Sequence, residues 1–140
     1  MANDDELFGP EHVRVYRETG GERGYLWRGT TILLLTTTGR KSGEKFLFPL
    51  FYGKSGNSHF VIASKGGAPE HPGWYKNILA NPEVEIQVGT DKIKARARTA
   101  SGEERAKLWK AAAEFWPPYL DYQKKAPHRE IPVVVLDPIS

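Results

Sequence analysis

A chain of 140 residues, 39% of them hydrophobic and 26% charged, has the length and balance of one soluble globular domain spanning 1–140. It contains no cysteine, which excludes disulfides, thiolate-bound zinc, iron–sulfur clusters and thiol catalysis, and fits a reducing, cytoplasmic setting. The net charge of +3 is local, since Arg40, Lys41, Lys45 and Lys54 against Glu44 account for it and the rest of the chain sums to zero; an anionic ligand at one place is expected, and no nucleic-acid partner.

The N-terminal stretch Met1-Ala2-Asn3-Asp4-Asp5-Glu6 is acidic and lacks the apolar core of a signal peptide. The longest apolar run, from Ile32 to Leu35, is far too short to span a bilayer; association of the N-terminus with a membrane surface stays open. Leu7, Phe8, Val13 and Tyr16 give residues 4–18 the character of a weak amphipathic helix, interrupted at Gly9-Pro10. A glycine-rich loop follows, and 1–29 is read as an N-terminal helix and loop without an assigned role. Residues 31–38, β-branched and apolar, predict a buried strand. Gly39 and Gly43 bracket a turn. Residues 45–53 resume as a strand, with Pro49 marking an edge or bulge because proline cannot donate to a ladder.

Residues 59–64 predict another strand, 65–73 a Gly/Pro loop, and 74–80 a short helix stopped by Asn81-Pro82. Residues 83–88 and 92–99 both alternate. Pairing Val88 with Ile93, Ile86 with Ala95, Glu85 with Arg96 and Glu83 with Arg98 sets apolar against apolar and charge against opposite charge. The basic row Lys92, Lys94, Arg96, Arg98 then reads as the outer face of a hairpin, not a nucleic-acid stripe. Ser101-Gly102-Glu103-Glu104 has the capping-box pattern and opens a helix with Leu108, Ala112, Phe115 and Trp116 on one face, ended by Pro117-Pro118. Tyr119, Tyr122 and Gln123 fall in a second short helix or turn, and 131–137 is a last strand. About six mostly antiparallel strands with three or four flanking helices make the fold α+β, with a small barrel at its centre.

Most common chemistries find no support. His12, His59, His71 and His128 show no metal-ligand spacing, so loop or surface roles and no metal are expected. No nucleophile elbow, P-loop or dinucleotide fingerprint is present. What remains is a tight turn carrying Arg40, Lys41 and Ser42 between two strands, whose amides, cations and hydroxyl form a phosphate nest. Lys65-Gly66-Gly67 offers a further cation on a flexible loop. Trp74 and Tyr75 offer a flat surface at a helix start. Tyr119 and Tyr122 alone read as packing residues after a proline break.

Several of these segments together resemble one family. Thr36-Thr37-Thr38-Gly39-Arg40-Lys41-Ser42-Gly43, Pro49-Leu50, Ala63-Ser64-Lys65-Gly66-Gly67, Pro72-Gly73-Trp74-Tyr75-Lys76-Asn77, Ala80-Asn81-Pro82, Tyr119-Leu120-Asp121-Tyr122-Gln123 and Ile131-Pro132-Val133-Val134 are similar, in order, to the deazaflavin-dependent nitroreductases. The resemblance implies a split β-barrel related to flavin-mononucleotide-binding proteins, and coenzyme F420 in its reduced form, F420H2, as hydride donor. The implied acceptors are small electron-poor molecules: quinones, enones or unsaturated lactones of the coumarin type, and nitroaromatics. By position it implies coenzyme contacts at Arg40, Lys41, Ser42, Lys45, Phe48, Pro49, Leu50, Phe51, Ile62, Ala63, Ser64, Lys65, Trp74, Tyr75, Asn77 and Tyr119. Ser64, Tyr119 and Tyr122 are implied at the reacting acceptor. Phe46, Phe51 and Trp116 depart from residues that some members carry, which makes the pocket more aromatic and less hydroxylated. FMN or haem on the same barrel, a non-catalytic carrier, and a monomer or homodimer remain as alternatives.

Overall fold

The computed structural model describes residues 4–139; Met1–Asn3 of the acidic N-terminal stretch, and Ser140, lie outside the described residues. A short 3₁₀ turn, Asp4–Glu6, precedes α1 (Gly9–Thr19). Gly9-Pro10 begins this helix and does not interrupt it, because proline fits the first turn, where its missing N–H has no intrahelical partner. The strands are β1 (Leu26–Trp27), β2 (Thr30–Thr38), β3 (Lys45–Phe51), β4 (Gly53–Ser55), β5 (Ser58–Ile62), β6 (Glu83–Val88), β7 (Asp91–Thr99) and β8 (Val133–Pro138). The remaining helices are α2 (Gly73–Ala80), α3 (Gly102–Phe115) and α4 (Pro118–Lys125). All strand pairs are antiparallel. Among the described residues no helix is long and apolar enough to cross a membrane.

The architecture is α+β, a curled antiparallel sheet closed as a split barrel. The sheet runs β2, β6, β7, β8, β5, β4, and β3 lies on the other side of β2. The strand expected over 45–53 breaks at Tyr52 into β3 and the start of β4, and β4 runs on through Lys54 and Ser55, where a polar turn is expected. The chain bends at Tyr52, so the first half bonds β2 and the second half bonds β5. That exchange of partners closes the barrel at one end and leaves β3 and β5 unbonded at the other. Among the described residues the expected count of about six strands therefore rises to eight, with β4 and the two-residue β1 added.

β2 shows why its sequence is apolar without alternation. Leu33 and Leu35 face the barrel interior with Ile86, Val134 and Leu136. Ile32 and Leu34 face the other way, under Val13 and Tyr16 of α1. Each such side chain contributes about 1.5–3 kcal/mol when fully buried. Tyr16 is wholly buried; its hydroxyl accepts from the Gly89 N–H (2.7 Å) and donates to the Ile32 carbonyl (2.9 Å), which fixes α1 on the sheet.

Three expectations are corrected. The β6–β7 hairpin pairs Val88 with Asp91, Ile86 with Ile93, Glu85 with Lys94 and Glu83 with Arg96. The register moves by two because Gly89, at φ +64°, permits a two-residue turn. Side-chain faces survive a shift of two, so carboxylates still oppose cations. Arg98 instead bonds Glu104 and Asp137. That bond takes Glu104 away from the capping box, and Ser101 caps α3 without a side-chain hydrogen bond. His12 and His59 are buried and not at the surface; His12 Nε2 meets the Gly24 carbonyl at 2.8 Å, and His59 packs 5.4 Å from the Tyr52 ring.

Gly53 stands at the barrel closure, where an added Cβ would overlap the buried Phe60 ring and lie 3.2 Å from Phe115. Gly53→Ala is expected to lose about 2 kcal/mol by overpacking, read as a fall in the urea midpoint at unchanged slope.

Candidate active site

The turn between β2 and β3 is closed by the Gly39 N–H on the Glu44 carbonyl (2.7 Å) and the Gly43 N–H on the Gly39 carbonyl (3.0 Å). Gly43 has φ +74°, open to glycine without strain. Arg40 ties the turn to α2. Its backbone N–H (3.3 Å) and its Nη1 (2.8 Å) both donate to Asn77 Oδ1, and Nη1 reaches the Gly73 carbonyl at 3.5 Å. Asn77 is buried and donates in turn to Thr37 Oγ1 (3.2 Å). Ser42 Oγ accepts the Glu44 N–H (3.1 Å). The Lys41 and Ser42 amides have no hydrogen bond among the described residues. Two free amides, two cations and a hydroxyl on an exposed turn are a donor set that fits a phosphate.

Beside this turn, through Gly73, opens a cleft of about 550 Å³. It lies where β3 and β5 part. Phe48, Pro49, Leu50 and Phe51 of β3 form one wall, and Ile62, Ser64, Lys65 and Gly66 another. Pro72, Gly73 and Trp74 close it at α2. The edge of β3 facing the cleft has no strand partner among the described residues, so it presents backbone groups to a ligand, less the donor that Pro49 lacks. Trp116, Tyr119 and Tyr122 complete the far side. The rings interlock: Trp27 lies 5.7 Å from Phe51, Phe51 4.6 Å from Trp116, and Tyr119 6.0 Å from Tyr122. An apolar cleft of this size with a few convergent polar groups suits a planar ring system.

The polar groups in it are sparse. Ser64 is 9% exposed, and its hydroxyl has no hydrogen bond among the described residues. Tyr119 is 4% exposed, and its hydroxyl likewise meets no protein partner. Burial, and then the neighbouring Tyr122, push the Tyr119 pKa upward, so the phenol keeps its proton at neutral pH and has it to donate. Trp116 Nε1 donates to the Tyr122 hydroxyl at 3.4 Å.

The loop carrying Ser64 and Lys65 is held from below by Arg129. This guanidinium donates to the carbonyls of Ala63 (3.3 Å), Ser64 (2.7 Å) and Ala68 (3.0 Å) and to His71 Nδ1 (2.9 Å).

The structure thus gathers Phe48, Pro49, Leu50, Phe51, Ile62, Ser64, Lys65, Trp74, Tyr119 and Tyr122 around one cleft, with Arg40, Lys41 and Ser42 on the adjoining turn. Four other expected contacts stand back from it. Lys45 donates to Thr38 Oγ1 (2.6 Å) and lines a separate groove with Thr36 and Glu85. Ala63 is fully buried, its N–H on the Pro132 carbonyl. Tyr75 turns into the barrel core and bonds Thr99 Oγ1 (2.8 Å). Asn77 acts on Arg40. Phe8, Trp27 and Arg28 line the cleft and were missed, since Arg-Gly is not one of the usual hairpin-turn dipeptides. A second groove of about 500 Å³, between α1 and the sheet, is lined by Arg14, Arg17, Glu18, Gln87 and Lys92. Its mixed charges and lack of aromatic rings make it the poorer ligand site.

The family model described as F420H(2)-dependent quinone reductase matches residues 9–138. An F420H(2)-dependent quinone reductase of Mycobacterium tuberculosis (strain H37Rv) is 40% identical over 129 residues, which is 89% of this chain and 86% of that protein. The solved structure of an F420-H2 dependent reductase, FDR-A, superposes with a TM-score of 0.70 at 46% identity, over 76% of this chain and 93% of that one. A second structure, described as a domain-swapped dimer, gives 0.73 at 42% identity over 89% and 96%. The haem storage protein HutZ of Vibrio cholerae, at 15% identity, 0.59, and 91% and 89% coverage, shares the fold alone.

Proposed function

The chain belongs to the F420H(2)-dependent quinone reductase family, and on that premise we propose that its cleft seats the reduced deazaflavin against β3 and passes its hydride to a flat quinone. The observation that carries this reading is the continuity of the phosphate-type turn with an aromatic cleft along a single strand. When bound, the reduced coenzyme supplies the hydride; the protein supplies position and electrostatics. Arg40, Lys41 and Ser42 hold the phosphate. Trp74, Ile62 and the free edge of β3 set the plane of the ring, and Lys65 adds a positive charge beside it. Phe51 and Trp116, apolar where the family resemblance implies hydroxyls in some members, shape the acceptor end for planar rings. The acceptor takes up a hydride and one proton to become the quinol. The Ser64 and Tyr119 hydroxyls, both without protein partners among the described residues, donate hydrogen bonds to its oxygen as negative charge develops there. Tyr122, oriented by Trp116, borders the same position.

Enones, unsaturated lactones and nitroaromatics are the other acceptors of matching chemistry. The reaction is assigned to the cytoplasm, and the assembly to a homodimer, which the domain-swapped relative supports. The test is oxidation of F420H2, followed by its absorbance, against a panel of quinones, unsaturated lactones and nitroaromatics. Turnover is expected to be fastest with quinones. No turnover with any acceptor, or tight binding of FMN in place of F420, would sink the reading. In the same assay Tyr119→Phe is expected to lower kcat about 10- to 100-fold with little change in KM. An unchanged kcat would reduce Tyr119 to a wall.

A further inference from the structure

We propose that Arg28 selects acceptors that carry an acidic substituent, a carboxylate or sulfonate, on the ring being reduced. The proposal rests on the reductase reading above. Among the described residues only two non-glycine positions have left-handed backbone, Arg28 at φ 51° and Lys65 at φ 49°. Both line the cleft; among the described residues they are its only charged lining residues, and no carboxylate lines it. Backbone held in this region costs energy and persists only where the surroundings over-determine it, which is common at ligand sites.

The surroundings of Arg28 are explicit. Trp27 pairs with Thr30, so Arg28-Gly29 is a two-residue hairpin turn, with Gly29 at φ 80°. Glycine or asparagine is the unstrained choice at its first position. The Arg28 N–H donates to Asp5 Oδ1 at 2.7 Å, and its Nε reaches the Asp5 carbonyl at 3.3 Å. Its guanidinium lies 4.1 Å over the Trp27 ring. It meets a carbonyl and an indole face, and no carboxylate, among the described residues. Both terminal amino groups are without a protein hydrogen bond among the described residues, so the guanidinium is held flat and oriented with donors to spare.

The position separates this cation from the coenzyme's phosphate. Trp27 packs on Phe51, at one end of β3; the phosphate-type turn adjoins Lys45, at the other. Six residue steps of strand put the two roughly 20 Å apart. A coenzyme whose phosphate sits on the turn leaves Arg28 to whatever lies beyond its ring, which is the acceptor. Arg28 is exposed at the mouth, so an acidic substituent meets it while keeping part of its hydration, and escapes the cost of burying a charge. The bidentate fork of arginine suits a carboxylate or sulfonate.

The test compares a naphthoquinone carboxylate with its methyl ester, in wild type and Arg28→Gly. Glycine adopts the turn without strain, so this variant is expected to melt no lower than wild type, which separates selectivity from misfolding. The ratio of kcat/KM for carboxylate over ester is expected to fall about 10-fold in Arg28→Gly, the scale of one contact to a charged group, with Arg28→Lys in between. Calorimetry with the carboxylate and no coenzyme should show the same order of affinities. Equal ratios in wild type and Arg28→Gly, or equal calorimetric affinities, would overturn the proposal. If wild type turns over neither compound, the reductase reading fails instead, and the calorimetric arm still decides Arg28.

Discussion

Replacing Arg40 and Lys41 together by alanine is expected to raise the dissociation constant for F420 about 100-fold or more, the scale of two lost contacts to an anion at roughly 1.5–3 kcal/mol each. The expected loss shrinks as salt rises, because both side chains are exposed. Arg40 has a second part, since its guanidinium also ties the turn to Asn77 and Gly73. Asn77→Ala is therefore expected to weaken binding by a smaller factor while every cation stays in place. A fluorescence titration of the coenzyme reads both. Affinity that moves less than about threefold in the double variant would place the phosphate elsewhere, with Lys65 or Arg28 of the cleft as its cation.

The largest stability effect is expected at Arg129. Its guanidinium satisfies three carbonyls and one imidazole nitrogen under the Ser64–Lys65 loop. Arg129→Ala leaves the carbonyls of two buried residues, Ala63 and Ser64, without that donor. The expected cost is about 3 kcal/mol, or roughly 10 °C in melting temperature for a domain of this size, together with weaker coenzyme binding. The same contact makes an acid-sensitive point. His71 has its pKa lowered from 6.5 by burial, then by Arg129 and Lys76. Because the folded-state value lies below the unfolded one, His71 contributes stability above about pH 6.5, and this is lost as pH falls from there through the lowered value. His59, lowered by burial and by Lys54, acts in the same direction. Denaturation curves between pH 7 and 5 should show declining stability, and a shallower decline in Arg129→Ala, where one of the cations depressing His71 is gone. An equal slope in both proteins would remove Arg129 from the effect.

Much of the fold was legible because its signals are local. The apolar run of β2, the alternation of β6 and β7, the proline stops after α2 and α3, and the glycines around the phosphate-type turn each act within a few residues. Errors arose where a distant partner decided the outcome. Glu104 has the spacing of a capping box, yet Arg98 of β7 takes its carboxylate. His12 looks like a loop histidine until Gly24 supplies a carbonyl twelve residues away. The break at Tyr52 is invisible in sequence because Gly53-Lys54-Ser55 reads as a polar turn, and only pairing with β5 makes it a strand. Within the site, the turn and the Ser64–Lys65 loop were legible from residue type. Arg28, Trp27 and Arg129 were not, since their roles come from contacts across 20 residues or more in the chain.

The partner exchange at Tyr52 also bears on how the site opens. A cleft flanked by two separate elements can gape by moving one of them. Here the strand that floors the cleft continues into the strand that seals the barrel. Loosening the floor pulls on the closure, and melting the closure frees the floor. Binding and global unfolding are then thermodynamically linked, so an occupied cleft protects the amide protons of β4 and β5, which lie outside the pocket's own polar contacts, as much as those of β3 itself.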